Sequence, residues 1–180
     1  MSKHPGLKQY LADWTGDSDI RRDISLTIEA IAEACIEISA LVARGPLAGE
    51  LGAEQGDNED GDAQKALDLI ANDIVFEELH SAPVYCLVSE ELKDPCPINM
   101  GAPLFVATDP FDGSSTLDTN VSVGTIFSIL PSGIDEDGKN IDDLCRLQQP
   151  GTAQLAAGYV IYGPQTALVM TLGDGTMIFT

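Results

Sequence analysis

Between residues 18 and 44, apolar side chains recur in steps of three and four. Ile20, Ile24, Ile28, Ile31, Cys35, Ile38 and Val42 form one stripe of an amphipathic helix. Ser18 is placed to cap its start, and Gly45-Pro46 stops it. A shorter helix is expected around residues 7–14. A third is predicted over residues 62–80, with Asp62 at its N-cap and Ala63, Ala66, Leu67, Ile70, Ala71 and Ile74 facing inward. Beyond it the pattern changes. Residues 84–88 and 104–107 are short continuous apolar runs, the mark of buried strands, and they deliver Glu90-Glu91 and Asp109 at their C-terminal ends. Further strands are predicted at 121–130, 156–162, 166–172 and 176–179, the last two joined through the hairpin signal Gly173-Asp174-Gly175. Residues 50–62, acidic and punctuated by glycine, read as a mobile loop, and residues 135–146 as an exposed insertion. The order of elements predicts an α/β fold with N-terminal helices packed on a mixed β-sheet.

Composition narrows what such a fold would do. The chain has 180 residues, 44% of them hydrophobic, enough for one domain with a closed core. Nine basic residues against 29 acidic ones give a net charge of −20. That charge argues against nucleic acid or an anionic membrane as partner, because binding there draws on Lys and Arg to displace counterions. No C-x-x-C pair occurs and the only histidines are His4 and His80, so a zinc site has little to work with. An EF-hand reading with Gly61 at its glycine position puts Gly56 and Leu67 where ligands are required, and fails at both ends. With no apolar run of 18 residues and no leader-like start, a cytoplasmic protein with free thiols is the expectation.

The chemistry concentrates in Asp109-Pro110-Phe111-Asp112-Gly113-Ser114-Ser115. Asp109 and Asp112 in one bend can meet on a hard cation, together with the Phe111 carbonyl. Gly113 lets backbone approach an anion, and the amides and hydroxyls of Ser114 and Ser115 can donate to phosphate oxygens. The same residue types also make ordinary Asx turns. Glu90 adds weight to the first reading, since adjacent acids at a buried strand end are costly unless something offsets their charge; Lys93 is the nearest base that could do so. An all-oxygen set suits Mg²⁺ or Mn²⁺, and metal beside a phosphate cradle points to phosphoryl chemistry. Asp62 and Asp68 lie about 9 Å apart if both are helical, so for both to serve one metal site Asp62 would have to come from a loop.

The segment Asp109-Pro110-Phe111-Asp112-Gly113-Ser114 resembles the D-P-x-D-G-[ST] signature of the lithium-sensitive sugar phosphatases. Residues 61–68 with Ala71-Asn72-Asp73, Val88-Ser89-Glu90-Glu91, and Val121-Ser122-Val123-Gly124-Thr125-Ile126-Phe127 are similar to class 1 fructose-1,6-bisphosphatases. The resemblance runs from about Ser25 to the end of the chain. It implies a layered α/β sugar-phosphatase fold, a Mg²⁺ cofactor that Mn²⁺ can replace, and hydrolysis of fructose 1,6-bisphosphate in gluconeogenesis or the Calvin cycle by a homotetramer. By the same likeness, Glu90, Asp109, the Phe111 carbonyl, Asp112 and Asp62 are metal ligands. Asp68 and Glu91 activate the attacking water, and Asp112, Gly113, Ser114 and Ser115 hold the phosphate.

Departures from the family pattern carry their own expectations. Family chains continue into a second domain, so residues 1–180 read as the N-terminal metal- and phosphate-binding domain, truncated on its C-terminal side and inactive by itself. Pro103-Leu104 stands where the AMP-responsive animal enzymes have a Lys-Tyr pair, and Thr116 replaces the usual Asn after the serines. Asp118-Thr119-Asn120 is closer to sedoheptulose-1,7-bisphosphatases, which keeps a dual-specificity enzyme open as an alternative, beside an inactive metal-binding fragment.

Overall fold

The computed structural model describes residues 5–44, 54–57, 63–115, 121–133 and 149–180. Helix α1 (Leu7–Thr15) leads into the long α2 (Asp19–Arg44). Ser18 caps α2 as expected, its Oγ accepting the Arg21 amide at 3.4 Å. The stripe buries Ile24, Ile28, Ile31, Cys35 and Ile38, whereas Ile20 at its start is 41% exposed.

Strands β1 (Glu54–Asp57) and β2 (Ala63–Lys65) pair antiparallel as a separate ribbon. This corrects two expectations. Part of the supposed loop is extended and paired, and α3 (Ala66–Leu79) begins four residues later than Asp62, after β2. Asp62 itself, and the insertion at 135–146, lie outside the described residues. The inward face of α3 also differs from expectation. Leu67 and Ala71 are buried, but Ile70 is 37% exposed, and the polar Asp68 and Asn72 take places in the interior at 2% and 5% exposure.

Seven strands form the main sheet: β3 (Val84–Ser89), β4 (Cys96–Pro97), β5 (Leu104–Asp112), β6 (Val123–Pro131), β7 (Ala156–Tyr162), β8 (Ala167–Thr171) and β9 (Met177–Phe179). Their spatial order is β4-β3-β5-β6-β7-β8-β9, with β3 and β5 parallel and every other pair antiparallel. The predicted hairpin at Gly173-Asp174-Gly175 joins β8 to β9, with both glycines at positive φ. The sequence pattern missed β4, which is two residues long.

One face of the sheet packs on the helices. Val123, Phe127 and Ile129 of β6, Val160 and Tyr162 of β7, and Leu168 and Met170 of β8 join the buried stripe of α2 and α3 in a single core. At the β3 and β5 end the other face carries a small cluster of Tyr85, Cys86 and Phe105. Farther along that same face Ile126, Tyr159 and Ile161 are 39–47% exposed. No helix of the described residues is long and apolar enough to cross a membrane.

Candidate metal and phosphate site

The parallel pairing of β3 and β5 sets the site. Parallel strands end on the same side, so the acids that follow them meet: Ser89 lies opposite Thr108, and the Glu90 amide donates to the Thr108 carbonyl at 3.1 Å. The chain then turns, the Leu92 amide bonding to the Ser89 carbonyl and the Glu91 amide to Ser89 Oγ at 3.3 Å. Glu90 is left exposed and within hydrogen-bonding reach of the Asp109 carboxyl.

The predicted bend after Ala107 is instead a continuation of β5 through Asp112, and its irregularity is informative. Asp109 pairs with Ile126 and Asp112 with Gly124, so two residues of β5, Pro110 and Phe111, face the single Thr125 of β6. This is a β-bulge, at the one place in the strand where proline removes a ladder donor. Residues three apart on a regular strand point to opposite faces; the extra residue cancels that parity and places Asp109 and Asp112 on one face. That face is the one away from the helices. Phe111 turns into the core at 2% exposure and stacks on Tyr162, ring centroids 6.2 Å apart. Asp109 Oδ1 accepts the Phe111 amide at 3.0 Å, so the Asx-type contact is present as well. Gly113 has φ +88°, a backbone that only glycine adopts without strain, and Ser114 and Ser115 open a short helical turn.

Asp109 bears the electrostatic consequence. Burial, then the hydrogen bond and repulsion from Glu90 and the charge of Asp112, push its pKa from an ordinary 3.8 up to about 7, against a lowering by the Phe111 amide. The folded value exceeds the unfolded one, so the contribution of this group to stability is full below pH 3.8 and is lost as pH rises through 7. Asp109→Asn, which mimics the protonated acid, is therefore expected to leave the metal-free melting temperature unchanged below pH 3.8, to raise it slightly at pH 5 and to raise it most at pH 8. Equal curves for the two proteins at pH 8 would contradict this account.

Glu90 and Asp109 fit a hard cation in kind: an all-oxygen donor pair pressed close enough for one to hold its proton. Among the described residues, however, no three such ligands converge as they stand, and Asp112, exposed at the end of the bulge, reaches the pair through its charge. Asp68 sits in the first turn of α3, the helix that packs on β5 and β3. Its Oδ1 and that of Asn72 are buried without a donor among the described residues. Asp68 nevertheless has other interactions.

A groove of roughly 720 Å³ runs from Glu90 and Asp109 over Ile126 and Tyr159 to Thr176. Sequence reasoning missed a buried polar network behind the bulge, in which Thr125 Oγ1 contacts the Pro110 carbonyl at 2.8 Å and the Tyr162 hydroxyl at 2.6 Å. A signal for it existed. In the inward-facing series Val123, Thr125, Phe127, Ile129 only Thr125 is polar.

Residues 9–180 match the family model for the N-terminal domain of fructose-1,6-bisphosphatase. The class 1 fructose-1,6-bisphosphatase of Azorhizobium caulinodans is 49% identical over 175 residues, 96% of this chain and 52% of that protein. Its counterpart in Rhizobium meliloti is 48% identical over 176 residues, 96% and 49% of the two chains. Among solved structures, Leishmania major fructose-1,6-bisphosphatase in holo form superposes with a TM-score of 0.84 at 33% identity, over 97% of this chain and 54% of that one. The chain spans about half the length of the curated relatives it matches.

Proposed function

The chain belongs to the fructose-1,6-bisphosphatase family, as its N-terminal domain, and on that premise we propose that it supplies the metal- and phosphate-binding half of an enzyme that hydrolyses fructose 1,6-bisphosphate to fructose 6-phosphate and phosphate. The observation that carries this reading is the bulge that sets Asp112 on the same sheet face as Asp109, whose carboxyl lies within hydrogen-bonding reach of Glu90. Glu90, Asp109, Asp112 and the Phe111 carbonyl, joined by Asp62, would hold Mg²⁺ or Mn²⁺. Such a dication offsets the phosphate charge, lowers the pKa of a bound water and stabilises the leaving alkoxide.

The chain's own groups do the rest. Backbone amides at Gly113, Ser114 and Ser115, with the serine hydroxyls, hold the phosphate against a surface of net charge −20. Asp68 or Glu91 accepts the proton of the attacking water on a carboxylate oxygen, and the sugar oxygen leaves with a proton in return. Cytoplasmic placement, a homotetrameric assembly and a role in gluconeogenesis or the Calvin cycle belong to the same proposal. Sedoheptulose 1,7-bisphosphate is the comparator substrate.

Calorimetry of the chain with Mn²⁺ tests the reading at its base. Binding is expected, and at a hundred times the dissociation constant it should stabilise the fold by about 2.7 kcal/mol, read as a rise in melting temperature. A folded chain that takes up no Mn²⁺ would refute it.

A further inference from the structure

The bulge that brings Asp109 and Asp112 onto one face is fastened from behind. Thr125 is fully buried, Tyr162 and Cys35 are 3% and 2% exposed, and the three lie between α2 and the sheet. Thr125 Oγ1 contacts both the Pro110 carbonyl and the Tyr162 hydroxyl. A carbonyl only accepts, so the single proton of Thr125 goes to Pro110, and Tyr162 must donate to Thr125. The buried Cys35 thiol of α2 borders the same two hydroxyls. A directed chain of hydrogen bonds thus runs from β7 through β6 to the Pro110 carbonyl inside the bulge.

Its end point matters. Pro110 stands between the two aspartates and directly precedes the Phe111 carbonyl, and it sits where the β5–β6 ladder is interrupted. Thr125, the lone residue facing the bulge, holds the Pro110 carbonyl with its side chain. Phe111 stacking on Tyr162 adds an apolar contact to the same two partners.

We propose that Thr125, oriented by Tyr162, is a positioning residue for the metal site, clamping the Pro110 carbonyl so that Asp109, the Phe111 carbonyl and Asp112 present themselves together on the open face. This rests on the metal-binding reading above and adds to it two residues that touch neither metal nor substrate. Hydrogen-bonded supports of this kind typically change metal affinity by about 10–100-fold when removed.

Thr125→Val keeps the shape and deletes the donor. In the full chain its dissociation constant for Mn²⁺, measured by calorimetry, is expected to rise about 10–100-fold, with Thr125→Ser restoring wild-type affinity. The Phe111 amide, which bonds to Asp109 Oδ1, should exchange its hydrogen faster in Thr125→Val, while amides shared by β7 and β8 keep their protection. Should that variant not fold, Tyr162→Phe retains the ring stack and removes only the hydroxyl, and it is expected to weaken Mn²⁺ in the same direction.

Wild-type Mn²⁺ affinity in folded Thr125→Val, or in Tyr162→Phe where the first does not fold, overturns the proposal, whether or not Phe111 exchange has changed. A weakened variant that Thr125→Ser does not rescue also overturns it, since the hydroxyl is then not what matters. Failure of the underlying reading looks different: wild type itself binds no Mn²⁺ although the exchange contrast persists, and the metal role of Thr125 falls with it.

Discussion

Asp112→Asn is expected to weaken Mn²⁺ binding by the chain, and to cut phosphate release by the enzyme that contains it, by one to three orders of magnitude while leaving the fold intact. The substitution is nearly isosteric and falls on an exposed residue at a strand end, so packing changes little. What it removes is a full charge from a cluster proposed to hold a dication beside an anionic substrate. At 4 Å a unit pair is worth about 1 kcal/mol in bulk water and about 4 kcal/mol near a protein surface. For this exposed position the two figures bracket the loss and give roughly a tenfold to thousandfold effect. Turnover and metal affinity within a factor of two of wild type, in a variant with an unchanged melting temperature, would remove Asp112 from the site.

The other large effect is structural. Ile28→Ala lies at the middle of the α2 stripe, where the side chain is fully buried. Truncation there loses the transfer free energy of three carbons and leaves a cavity, about 2–5 kcal/mol in all. Ile36→Ala, on the same helix but 61% exposed, should stay within about 0.5 kcal/mol. Urea unfolding of the pair reads the contrast directly. Similar midpoints for both variants would mean that α2 does not form the roof of the core.

Those two isoleucines also show why α2 was legible. A helix that serves only packing obeys its period, and the stripe from Ile24 to Ile38 emerged in the interior as written. In α3 the pattern misled, because its buried face is shared with Asp68 and Asn72 while Ile70 stays partly outside. Where polar side chains are required inside, hydrophobic periodicity no longer reports the inward face. The start of α3 was misplaced for another reason. Ala63, Gln64 and Lys65 suit either helix or strand, and their pairing with residues 54–57 is a tertiary fact.

Around the site, the acids are legible as strand-end carboxylates, but the pattern ends at Asp109-Pro110 a strand that in fact continues to Asp112. Proline is a strand breaker by propensity, and no local rule says that a bulge will absorb it. Thr125 escaped for a related reason. Its partner is a carbonyl, which every residue has, so its role depends on geometry that residue types do not announce.

That bulge makes the proposed metal site sensitive to strand register as much as to residue identity. Exchanging Phe111 for another large apolar residue would leave both aspartates facing outward, whereas pairing the same residues as a regular strand, without the bulge, would bring Asp112 opposite Val123. Asp112 would then lie beside Val123 on the face that packs on the helices, as a charge buried in the core. A one-residue deletion between the aspartates would remove the bulge yet keep both on the outer face, two residues apart, whereas a one-residue insertion that kept the bulge would turn Asp112 inward.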